Sequence, residues 1–123
     1  MNAALEDILI VREPVSVSAV QDLAQKWYGD MIKGVADVEK GTVALGGDWH
    51  IDANTVLIAD GSQQSNVWGF NIYVHERGDA ALEYQSLINI RPAQGNRDME
   101  LQDAALRQKI HSIIERLIPE LFV

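Results

Sequence analysis

Polar and apolar residues alternate most regularly between positions 67 and 91, VWGFNIYVHERGDAALEYQSLINIR. Over 67–75, Trp68, Phe70, Ile72 and Val74 fall on one face, and Gly69, Asn71, Tyr73 and His75 on the other, the period of a half-buried strand. Over 82–91 the same split sets Leu82, Tyr84, Ser86, Ile88 and Ile90 against Glu83, Gln85, Leu87, Asn89 and Arg91. A turn through 76–81 predicts that the two strands form a hairpin. A register with Asn71 opposite Asn89 unites the apolar faces, since a one-residue slip inverts a strand. The opposite face then carries Asn71, Tyr73, Asn89 and Arg91.

The rest of the chain supplies helices and a second hairpin. The apolar run 8–11 reads as a strand buried on both faces inside the sheet. After Pro14, Ser16 or Ser18 caps a helix whose Val20, Leu23, Ala24, Trp27, Tyr28 and Met31 recur at helical spacing, ending near Gly29 or running on to Lys33. Residues 35–39 and 42–46 form a hairpin around Lys40-Gly41, with Glu39 facing Thr42 and Asp37 facing Ala44. Its apolar set is Ala36, Val38, Val43 and Leu45, and Gly46-Gly47 breaks its second strand. Residues 53–60 read as a short helix between Asp52 and Gly61, against a strand-like Thr55-Val56-Leu57-Ile58. Asp103 caps a last helix with a stripe of Leu106, Ile110, Ile113, Ile114, Leu117 and Ile118, stopped by Pro119. The expected fold is therefore α+β, a two-layer sandwich in which a mostly antiparallel sheet of about five strands carries the N- and C-terminal amphipathic helices on one face.

Composition narrows the function. A chain of 123 residues fits one domain spanning 1–123. Its net charge of −8 opposes attraction to nucleic acid or an anionic membrane, though a local basic cluster can still hold a phosphate. The absence of cysteine excludes disulfides and thiolate chemistry. The start, MNAALEDILIVREP, lacks the basic region of a signal peptide, and no run is long enough to span a bilayer, so a cytoplasmic location follows by elimination.

Two places offer chemistry. His50 and Asp52, with Asp37 and Glu39 folded back from the hairpin, form an imidazole–carboxylate set suited to zinc, manganese or iron. The plainer account makes Asp52 a helix cap and His50 the partner of a loop carbonyl. Around the loop 92–97, Arg91, Asn96 and Arg97 stand before the last helix, where guanidinium groups hold a phosphate or carboxylate. Ion pairs of Arg91 with Asp37 or Glu39, and of Arg97 with Asp98 or Glu100, are the plainer account there. Asn71 and Asn89 either orient a ligand or bond each other across the strands. His75 and His111 read as solvated. No Gly-x-Ser-x-Gly, Gly-x-x-x-x-Gly-Lys or dinucleotide fingerprint is present.

The joint pattern of Gly46, Gly47, His50, Asp52, Gly61, Ser62, Trp68, Gly69, Asn71, Asn89, Arg91, Pro92, Gly95, Asn96 and Arg97 resembles a family of small bacterial proteins classed as a domain of unknown function. Gln85 departs from that pattern, in which an acidic residue stands. The resemblance implies a bacterial, single-domain protein and no particular activity. Three functions follow from the residues. The first is a binding module for a small anionic ligand or a protein partner on the polar sheet face and the 92–97 loop, forming a homodimer. The others are a metal-dependent hydrolase built on His50, Asp52, Asp37 and Glu39, and a purely structural homo-oligomer. No cofactor is specified.

Overall fold

The computed structural model describes residues 7–123 of the chain. Part of the opening segment read as lacking signal character, residues 1–6, lies outside them. Eight principal elements follow one another: β1 (Leu9–Val11), α1 (Val17–Ala24), β2 (Met31–Asp37), β3 (Thr42–Leu45), α2 (His50–Ala59), β4 (Val67–Tyr73), β5 (Leu82–Glu83) and α3 (Ala104–Leu117), with short 3-10 turns between them. The strands form one antiparallel sheet in the order β1-β3-β2-β4-β5. The fold is α+β, and among the described residues no helix is long and apolar enough to cross a membrane.

One sheet face makes the main core. Ile32 and Ala36 of β2, Val43 and Leu45 of β3, and Trp68, Phe70 and Ile72 of β4 pack there against Val17, Val20 and Ala24 of α1 and Ile110, Ile113, Ile114 and Leu117 of α3. These are the alternations and helical stripes that the sequence displays. On the other face Ala53 and Leu57 of α2 close a smaller cluster with Val35, Ala44 and Val67. That face is therefore covered over part of its width and open over the rest.

Four expectations change. Residues 8–11 do form a strand, but at the sheet edge rather than inside it, with Leu9 41% exposed. An edge strand with Val11 in the main core and Ile10 against the smaller cluster is as apolar on both faces as an interior one. The first helix stops at Ala24, because Gly29 at φ 81° takes the left-handed conformation and its N–H bonds Ala24 O at 2.8 Å. Met31, expected on a helix, then starts β2. The second hairpin pairs Asp37 with Thr42 rather than Ala44, because Asp37 Oδ1 accepts from the N–H groups of Glu39 and Lys40, both at 2.9 Å, and widens the turn. A shift of two residues leaves the faces unchanged, so Ala36, Val43 and Leu45 remain in the core.

The fourth change shapes the site. The strand expected over 82–91 lasts only two residues, and Asn71 faces Glu83, not Asn89. Beyond Glu83 the chain touches Glu100 through a single bridge at Gln85, then coils into a 3-10 turn, Leu87–Asn89, whose first N–H groups include Ile88 N bonded to Ser86 Oγ at 3.2 Å. This turn can lie against β4 because residue 69 is glycine. A Cβ there would sit 2.5 Å from Ser86 Cβ.

Candidate functional site

The open part of the second sheet face is a pocket of about 390 Å³, within the range of small-molecule sites. Its floor is Met31 and Lys33 of β2 with Asn71 of β4. Its walls are Trp49, His50 and Ile51 at the start of α2, Glu83 and Gln85, the turn residues Ser86, Leu87 and Ile88, and Met99. Trp49, Ile51, Leu87 and Met99 are exposed and make its mouth apolar.

The floor is polar and ordered by a chain of hydrogen bonds. Asn71 Nδ2 donates to Glu83 Oε1 at 2.8 Å and to the Gln85 carbonyl at 3.3 Å, while Tyr73 Oη donates to the same Glu83 oxygen at 3.0 Å. Those acceptors fix the orientation of the amide and turn Asn71 Oδ1 toward His50. His50 Nε2 lies 2.8 Å from that oxygen and 2.9 Å from the Phe70 carbonyl, so this nitrogen carries the proton. Nδ1 is then the basic nitrogen, and it has no hydrogen-bond partner among the described residues. Burial, aided by the charge of Lys33, lowers the imidazole pKa, so the ring is neutral at pH 7. Burial and the neighbouring Glu83 raise the pKa of Tyr73.

Lys33, Asn71 and Glu83 stand side by side in register on β2, β4 and β5. The row reads cation, amide, anion across the sheet. Lys33 Nζ rests 5.2 Å from the centre of the Tyr28 ring and makes no ion pair among the described residues. Glu83 Oε2 has no partner there either. Sequence periodicity placed Asn71 on this face but did not single out Lys33 or Glu83. Glu83 did fall on the polar phase of its segment, whereas Lys33 was hidden because it was read as the end of the first helix and not as part of β2.

Of the five residues first assigned to a ligand, only Asn71 lines this pocket. Asn89 is buried and pairs with the backbone of Gly69, accepting from its N–H at 2.8 Å and donating to its carbonyl at 3.0 Å. Asn96 ties its own loop together, its Nδ2 donating to the carbonyls of Asn89 and Asp98 at 2.8 Å and its Oδ1 accepting from Gln102 N at 2.9 Å. Arg91 donates to the carbonyls of Ile88, Gln64 and Val67 and stacks 3.6 Å from the centre of the Trp68 ring. Burial pulls its pKa down to about 10, which still leaves it charged at neutral pH. Its partners are carbonyl oxygens, where ion pairs with Asp37 or Glu39 were expected. Arg97 is exposed on the same loop.

The four residues assigned to a metal are not brought together. Asp52 closes the first turn of α2, accepting from Trp49 N at 3.0 Å, whereas Asp37 lies beyond the far end of that helix and accepts from Ser62 Oγ at 2.5 Å. Glu39 is exposed in the hairpin turn. Among the described residues no three histidine, aspartate or glutamate side chains are grouped to hold a metal ion. His111 is not a solvated histidine, since its ring packs 4.7 Å from that of Phe122 with Nε2 3.5 Å from Asp79 Oδ1.

A family model described as a protein of unknown function, DUF5674, matches residues 9–117. No curated protein and no solved structure matches the chain.

Proposed function

Because the chain belongs to the DUF5674 family, a family of unknown function, its chemistry has to be taken from its own pocket, and we propose that it is a binding module for a small ligand bearing an acidic group on an apolar body. The observation that carries this reading is Lys33, a half-buried cation without a carboxylate partner among the described residues, at the floor of a pocket with an apolar mouth. A charge removed from water without a partner is costly, and an anionic ligand relieves that cost. The neutral His50 offers its Nδ1 as an acceptor for a donor on the ligand without adding charge, and Asn71, whose amide hydrogens are engaged by Glu83 and Gln85, orders the floor. Trp49, Ile51, Leu87 and Met99 receive the apolar body. Asn89, Asn96 and Arg91 serve the site indirectly by holding the wall that contains Leu87 and Ile88.

Calorimetric titration with 3-phenylpropionate and with its uncharged primary amide tests the reading. The acid is expected to bind at least ~10-fold tighter than the amide, about 1.4 kcal/mol, and Lys33→Met to remove that preference. Equal affinity for acid and amide, or a preference that survives Lys33→Met, refutes it. The exposure of Trp49 at 62% and Leu87 at 60% favours a second reading, in which another copy of the chain covers the same mouth. Sedimentation equilibrium decides that point: a dimer that Leu87→Glu dissociates supports it, and a monomer at high protein concentration removes it.

A further inference from the structure

The pocket floor presents two opposite charges held apart. Lys33 and Glu83 flank Asn71 in one row across β2, β4 and β5, with their backbones two strand spacings apart, about 10 Å. Long side chains from such positions are able to meet above the middle strand, yet these two form no ion pair. Glu83 is held through one oxygen, since Asn71 Nδ2 at 2.8 Å and Tyr73 Oη at 3.0 Å both donate to its Oε1. Its other oxygen is left for a further donor, while Lys33 leans over the Tyr28 ring.

We infer that the ligand is a zwitterion, an α-amino acid with an apolar side chain. This rests on the acid-anchoring reading above and adds to it the second charge. The ligand's carboxylate pairs with Lys33 and its ammonium with Glu83 Oε2, and the Asn71 amide lies between them. The side chain leaves this polar floor for the mouth formed by Trp49, Ile51 and Leu87. A simple carboxylate satisfies Lys33 but leaves Glu83 uncompensated, and an amine does the reverse. Only a molecule carrying both charges satisfies the whole row.

Three probes that share one skeleton separate the charges: phenylalanine, 3-phenylpropionate, which lacks the amino group, and 2-phenylethylamine, which lacks the carboxylate. Titrated calorimetrically into the wild-type protein at pH 7, phenylalanine is expected to bind at least ~10-fold tighter than either fragment. Glu83→Gln keeps an oxygen for Asn71 and Tyr73 and is expected to bring phenylalanine and 3-phenylpropionate to within ~2-fold of each other. If 3-phenylpropionate binds wild type as tightly as phenylalanine, the zwitterion inference fails while the acid-anchoring reading stands. If none of the three binds, both fail. Because the decisive comparison is made on the wild-type chain, a Glu83→Gln protein that does not fold leaves the inference testable.

Discussion

Asn89 offers Gly69 an acceptor oxygen and a donor N–H in the arrangement of a neighbouring strand's peptide, and so continues with a side chain the pairing that β5 abandons after Glu83. The residue is fully buried. Replacing it by alanine removes both bonds and leaves the Gly69 N–H and carbonyl without partners, each unmet buried group costing ~1–3 kcal/mol. Asn89→Ala is therefore expected to destabilise the fold by about 3 kcal/mol in urea unfolding, while Asn71→Ala, at the pocket floor, costs less than half as much. Equal stabilities for Asn89→Ala and wild type would contradict the strand-like role. The sequence set Asn89 on the polar face away from the core, and its full burial against β4 was not legible there. Nor was its pairing with backbone, and not with Asn71: two asparagines at matching phases of two alternating segments read as a cross-strand pair whenever both segments are taken as full strands.

At the scale of elements, alternation and helical stripes identified most of what faces the main core, but not Tyr28 and Ile90, which are exposed, Ile88, which joins the smaller cluster, or Met31, which lines the pocket. They failed at element ends, where single contacts decide. The segment 82–91 alternates well enough for a strand, but Ser86 sits at an inward position and its hydroxyl bonds Ile88 N, which turns the chain. Arg91 then draws together the carbonyls of Ile88, Gln64 and Val67 and fixes the segment beside the start of β4. An arginine in an anion-rich chain invites an ion-pair or ligand assignment. Here the acceptors are carbonyls, which composition does not reveal. The Asp37 turn follows the same logic, since its carboxylate caps two N–H groups and shifts the hairpin by two residues without moving any core side chain. Residues 53–60 read as helix against a strand-like composition; helix α2 does form but begins at His50, and His50 and Ile51 of its first turn line the pocket wall.

For the whole molecule, α2 and the polar row share one sheet face, so the histidine that opens the helix is also the bond that fastens it to β4. His50 Nε2 donates toward the Phe70 carbonyl and Asn71 Oδ1, and burial with the charge of Lys33 disfavours a second proton on the ring. Its folded pKa is thus below the ordinary ~6.5 of an unfolded chain. Above ~6.5 both states are neutral and the contribution to stability is complete. As the pH falls through that value the unfolded chain takes up a proton that the folded one refuses, and stability declines by up to about 1.4 kcal/mol per pH unit until the folded pKa is reached. His50→Gln keeps a donor for Asn71 but has no proton to gain. The unfolding free energy of wild type minus that of His50→Gln, followed in urea from pH 7.5 to pH 5, is therefore expected to fall with pH, the other titrating groups cancelling in the difference. A difference that stays level across this range would mean that the imidazole titrates alike in both states, and that the neutral ring is not what the pocket floor is built around.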